Sequence, residues 1–106
     1  MNVLFVCNQG KHRSKTAAEI FSSLFDTRYA GLFSEQAVTS QDLEWAELIF
    51  VMEEFQRSEI AKRFPEQYLK KQILVLSIPD VFHYNQPELQ TCLRQRVYEL
   101  TIQETA

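Results

Sequence analysis

Glycine is scarce in this chain, with Gly10 and Gly31 the two in 106 residues, so the position of each carries information. Cysteine is equally scarce: Cys7 and Cys92 stand 85 positions apart, too few and too far apart to serve as a disulfide framework. Their combination with the two histidines, as Cys-x4-His and His-x8-Cys, matches no usual zinc spacing, so a zinc site is not expected. Positive charge is not in excess. Eleven Lys and Arg face fourteen Asp and Glu, a net charge of -3 that gives no general electrostatic footing on nucleic acid or anionic lipid. No apolar run approaches the roughly 18 residues of a membrane span, and no charged leader with a cleavage site precedes Val3-Leu4-Phe5-Val6. A cytoplasmic protein is the expectation. Repeats, low-complexity tracts and Pro/Gly/Ser linkers are also missing, which leaves a single domain over residues 1–106.

What is present is an alternation of element types. Asn2 to Val6 reads as a strand buried on both faces, and Leu48 to Met52 and Ile73 to Leu76 have the same character. Tyr29 to Phe33 is a fourth, weaker strand candidate. After the first strand, Ser14 can cap a helix whose apolar stripe runs through Ala17, Ile20, Phe21, Leu24 and Phe25. Thr39 and Asp42 have the spacing of a capping box before Leu43 and Trp45. Phe55 to Phe64 reads as a helix that stops at Pro65, and Pro87 opens a last helix in which Leu89, Cys92, Leu93, Val97 and Leu100 share a face. On that stripe Cys92 is a core residue. The alternation predicts an α/β three-layer sandwich around a four-stranded parallel sheet, with ligand chemistry at the carboxyl ends of the strands.

The segment Cys7-Asn8-Gln9-Gly10-Lys11-His12-Arg13-Ser14 joins the first strand to the first helix. Successive backbone N–H groups of a loop this long, from Asn8 to Arg13, can curl around a phosphate, aided by the positive end of the helix dipole. Gly10 tolerates the positive φ that such a loop requires. Arg13 can fold back and hold two phosphate oxygens at once. These surroundings favour the thiolate of Cys7, which would face the phosphorus of a bound monoester for in-line displacement, and the Ser14 hydroxyl can donate to that sulfur. Lys11, His12, Arg13 and Lys15 also concentrate positive charge on an otherwise acidic chain.

Hydrolysis then needs a group that protonates the leaving alcohol and later activates water. Asp80, after the strand at Ile73 to Leu76, is the best placed carboxyl; Asp42 reads as a capping acid. Phe82, His83 and Tyr84 can wall the pocket or pack locally.

Val3-Leu4-Phe5-Val6-Cys7, then five residues, Arg13-Ser14 and a helix with Ala17-Ala18-Glu19, resembles the amino terminus of the low-molecular-weight protein tyrosine phosphatases. Trp45-Ala46-Glu47-Leu48-Ile49-Phe50-Val51-Met52 is similar to the third strand of that family. The resemblance implies a phosphatase loop at the strand ends, a phosphocysteine intermediate, no cofactor, phosphotyrosine-type substrates such as phosphorylated proteins, and Asp80 as the general acid. Three positions depart from the pattern. Gly10 stands where the family has a strained asparagine, His12 where many members have a second loop cysteine, and Asp80-Val81 where the family has Asp-Pro. Two rival functions remain: a phosphoryl-carrier protein of the sugar-transport type, which has less use for an arginine clamp and an acid, and an arsenate reductase, which needs more cysteines than Cys92 supplies.

Overall fold

A computed structural model of the chain describes residues 1–35 and 37–105. Four parallel strands, β1 (Asn2–Cys7), β2 (Asp26–Gly31), β3 (Leu48–Val51) and β4 (Gln72–Val75), form a sheet in the order β2-β1-β3-β4. Among the described residues five helices accompany it: α1 (Arg13–Ile20), α2 (Ser40–Trp45), α3 (Glu54–Arg63), α4 (Pro65–Lys70) and α5 (Pro87–Thr105).

The continuous apolar run of β1 follows from its central place, because alternate side chains must enter two different cores. Val3, Phe5 and Cys7 pack with Ala17, Phe21, Leu89, Leu93 and Val97, which places α1 and α5 on one face. Leu4 and Val6 pack with Leu43 and Ile60, which places α2 and α3 on the other. β3 divides in the same way, with Leu48 and Phe50 on the first face and Ile49 and Val51 on the second. The rings of Phe5 and Phe50 stack at 5.4 Å between centroids. Full burial of each such side chain stabilises the fold by about 1.5–3 kcal/mol. The three layers and the four-stranded parallel sheet are those expected from the alternation of elements.

Local differences have identifiable causes. α1 begins at Arg13 with His12 as its N-cap, and Ser14 does not cap it. The helix also ends at Ile20, where the Ser22 hydroxyl takes the Glu19 carbonyl at 2.8 Å and competes with the helical ladder. Leu24 therefore falls outside the helix and is 70% exposed rather than on a buried stripe. β2 starts three residues and ends two residues earlier than its apolar character suggested, because pairing with β1 sets its register from Asn2↔Asp26 to Cys7↔Gly31 and an edge strand with exposed side chains lacks a hydrophobic pattern. α3 does stop ahead of Pro65, at Arg63, but Pro65 does not end the helical structure. It opens α4 at the first helical position, where its missing N–H is harmless. The capping box is formed as expected: Asp42 N–H donates to Thr39 Oγ1 at 3.1 Å, and Thr39 N–H to Asp42 Oδ2 at 3.0 Å. Cys92 is half-buried against the α1–α5 core. No helix among the described residues is long and apolar enough to cross a membrane.

Candidate active site

Because all four strands run the same way, their carboxyl ends meet at one edge, and the segments after β1 and β4 enclose a small cavity beside Cys7. The cavity has a volume of about 50 Å³ and is lined by Cys7, Asn8, Gln9, His12, Arg13 and Asp80. That exceeds the roughly 30 Å³ share of one water molecule and suits a small oxyanion.

β1 delivers Cys7 to the floor, where its side chain faces α1 and is 2% exposed. Cys7 Sγ lies 3.0 Å from Ser14 Oγ and accepts the Gly10 N–H at 3.2 Å. Gly10 adopts φ +69, the left-handed region. The N–H groups of Gln9, Lys11, His12 and Arg13 have no acceptor among the described residues, so several donors of the loop remain for an anion.

The loop rests on β2 through the two glycines of the chain. A Cβ on Gly31 would lie 2.5 Å from the Gln9 carbonyl carbon, and one on Gly10 would lie 2.8 Å from the Gly31 nitrogen. No side chain fits between these backbones.

Arg13 is almost fully buried, at 1% exposure, so its charge must be compensated. Nη1 donates to the Ile78 carbonyl at 2.8 Å and sits 3.3 Å from Glu53 Oε1, while Nε lies 3.7 Å from Asp80 Oδ1. Two of these contacts occupy Nη1 and the third sets Asp80 beside Nε, while Nη2 has no partner among the described residues. The Nε–Nη2 edge, spaced to match two oxygens of a phosphate, is thereby oriented for a ligand.

Cys7, Arg13, Ser14 and Asp80 are thus brought together, and the Asn8–His12 loop surrounds them. Two residues of the site escaped the local sequence pattern. Glu53, immediately after β3, pairs with Arg13. Gln56, fully buried, accepts the N–H groups of Met52 and Glu53 at 2.8 and 3.0 Å and donates to Asn8 Oδ1 at 3.0 Å, tying the start of α3 to the loop after β1. Phe82, His83 and Tyr84 do not line the cavity at Cys7. Phe82 packs against the core, the ring of His83 stands edge-on to His12 at 6.4 Å, and Tyr84 donates its hydroxyl to Glu19 Oε2 at 2.6 Å. This bond to a carboxylate raises the Tyr84 pKa above the ordinary 10.0. Among the described residues no group of three His, Cys, Asp or Glu side chains could hold a metal ion.

No protein-family model and no curated protein sequence matches the chain. Solved structures do match, and they define the fold as that of the low-molecular-weight phosphotyrosine phosphatases. One is such a phosphatase from Vibrio cholerae O395, VcLMWPTP-2, with TM-score 0.78 and 16% identity over 99% of this chain and 97% of that one. A second is the tyrosine phosphatase Wzb from Escherichia coli K30 in complex with phosphate, with TM-score 0.78 and 15% identity over 96% of each chain. A third is a variant of the arginine phosphatase YwlE with a phosphorylated active-site serine, with TM-score 0.74 and 22% identity over 95% of this chain and 96% of that one.

Proposed function

We propose that the chain is a cysteine-dependent phosphomonoesterase, carried by one domain over residues 1–106 and acting on phosphorylated substrates in the cytoplasm. The observation that carries this reading is the convergence on one anion-sized cavity of a sulfur in hydrogen-bond contact with Gly10 N–H and the Ser14 hydroxyl, a buried and oriented arginine, and a carboxyl group. In the first step the Cys7 thiolate attacks phosphorus, the P–S bond forms as the ester P–O bond breaks, and Asp80 gives its proton to the departing oxygen. In the second step Asp80, now a carboxylate, takes a proton from water, which attacks phosphorus and releases phosphate and the thiolate. The loop N–H groups and Arg13 hold the non-bridging oxygens through both steps. Ser14 stabilises the sulfur before attack and on departure.

Phosphotyrosine-type esters are the leading substrate class. A cleft of about 610 Å³ adjoins the loop at Gln9, Gly10 and Lys11, and its walls include Tyr29 and Phe33, each about half exposed. An aromatic leaving group has both room and partners there. The neighbours named as tyrosine phosphatases and the arginine phosphatase neighbour with a phosphorylated active-site serine support chemistry through a phosphoenzyme. The contact between Asp80 and Arg13 favours hydrolysis over the carrier function, which needs water excluded. With Cys92 on the α5 stripe, an arsenate-reductase relay lacks a partner thiol in the loop.

A panel of aryl and alkyl phosphomonoesters, assayed beside Cys7→Ser, tests this directly. Turnover by the native chain, none by the variant, and retained vanadate binding by both are expected. Substantial activity in Cys7→Ser would refute the mechanism, and a long-lived phosphocysteine passed to an acceptor protein would identify a carrier.

A further inference from the structure

The stretch from Leu76 to Gln86, which carries Asp80, has no regular secondary structure and includes two non-glycine residues with positive φ, Ser77 and Asn85. A segment of this kind needs external anchors to hold one carboxyl group in place. Its first part is held by Arg13 at Ile78 and Asp80 and by backbone bonds to Val51 and Met52, and four further anchors lie along one stripe that runs from His12 into α1. His12 Nδ1 accepts the Tyr84 N–H at 3.1 Å, Thr16 Oγ1 accepts the Asn85 N–H at 2.8 Å, Glu19 Oε2 accepts the Tyr84 hydroxyl, and Lys15 Nζ lies 4.8 Å from the centre of the Tyr84 ring. Positions 12, 15, 16 and 19 follow the i, i+3, i+4, i+7 spacing of one helix face. This face is polar because its partner is backbone and a phenol rather than core.

Of the four anchors, His12 alone also lines the cavity at Cys7, where it is joined by Asp80. From these contacts we infer that His12 is a positioning residue: by accepting the Tyr84 N–H it fastens the loop bearing the general acid to the loop bearing the nucleophile, and so sets the reach of Asp80 to the leaving oxygen. The inference rests on the phosphatase reading for the role of Asp80, while the tie itself does not. Accepting at Nδ1 also fixes the imidazole with its proton on Nε2. Asparagine can place Oδ1 near the position of Nδ1 and keep the acceptor; phenylalanine keeps the ring and removes it.

The test compares His12→Phe and His12→Asn with the native chain in two measurements. Amide hydrogen exchange at Tyr84, followed without substrate, should quicken in His12→Phe and stay slow in His12→Asn. In turnover, His12→Phe should lose about 10-fold or more on an alkyl phosphate, whose departure needs the proton, and about threefold or less on p-nitrophenyl phosphate, which leaves unaided. His12→Asn should recover most of the alkyl rate. Unchanged exchange at Tyr84 in His12→Phe, an equal loss on both esters, or no recovery in His12→Asn would each overturn the inference. If the native chain turns over neither ester, the phosphatase reading fails and with it the role given to Asp80, and exchange at Tyr84 still decides whether the tie exists.

Discussion

Replacing Gly31 with alanine adds one methyl group on a strand that supplies no reacting atom, yet the methyl would enter the phosphate loop. Its carbon would lie 2.5 Å from the Gln9 carbonyl carbon and 2.7 Å from the carbonyl oxygen, where ordinary contact begins at 3.4 Å. Backbone must move by about 0.9 Å, because no flexible side chain is there to yield. β2 is held to β1 along its whole length from Asn2↔Asp26 to Cys7↔Gly31, whereas the loop has few hydrogen bonds of its own, so the loop takes most of the displacement. A misplacement near 1 Å at a reacting centre costs on the order of 100-fold in rate. Overpacking of this kind also costs about 1–3 kcal/mol of stability, and each kcal/mol lowers the Tm of a domain this size by roughly 4 °C. Kinetics on p-nitrophenyl phosphate and a thermal melt of the same preparation read both effects. A Gly31→Ala protein with a lowered Tm and an unchanged kcat/KM would show that β2 yields and the loop does not, which refutes the reasoning.

Arg13→Lys keeps the charge but loses the two-pronged edge and the Ile78 anchor, so kcat/KM should fall steeply; near-native kinetics would count against the clamp. Asp80→Ala should slow turnover by about 10²–10⁴-fold for alkyl esters and less for good leaving groups, and a flat response across leaving groups would remove Asp80 from the acid role. Gln56→Leu orphans the N–H groups of Met52 and Glu53 and frees Asn8, at about 1–3 kcal/mol for each buried N–H left without an acceptor, so a lower Tm and a weaker anion affinity are expected together in a melt and a vanadate titration. Tyr84 holds its proton more tightly folded than unfolded, so its contribution to stability is complete below pH 10.0 and is lost as pH rises through the folded value. Tyr84→Phe should remove that alkaline component from denaturant melts, and an identical alkaline profile in the variant would exclude it.

The legible parts of the molecule were those whose cause is local. β1 and β3 stood out because a central parallel strand is apolar at every position, and the Cys7–Ser14 segment because a nucleophile, a glycine and an arginine share eight consecutive residues. β2 was displaced because its place depends on pairing with β1 and its exposed edge leaves no pattern. Ser14 was read as a cap because its type and position allow one, but burial beside Cys7 gave the hydroxyl a different partner. Glu53 and Gln56 act on Arg13 and Asn8, 40 and 48 residues away, across the neighbouring strand, which no local spacing encodes. Two signals were nevertheless available. Glu53 and Gln56 have capping-box spacing at a strand end, and Gly31 was the second glycine of a chain that has two.

The sheet order also divides the site into halves of unequal permanence. Cys7, the proposed nucleophile, and the loop after it hang from β1, which is bonded on both sides and buried on both faces. The carboxyl group hangs from β4, an outer strand of four residues that is exposed or half-buried throughout and bonded only to β3. Outer strands detach in local openings that cost less than global unfolding. When β4 and the segment after it detach, Arg13 loses the Ile78 carbonyl and Asp80 while Cys7, Ser14 and the Asn8–Gln56 bond stay in place. On the proposed mechanism such an opening removes Asp80 while Cys7 and the backbone donors of the loop stay, so warming is expected to erode turnover before it erodes vanadate binding.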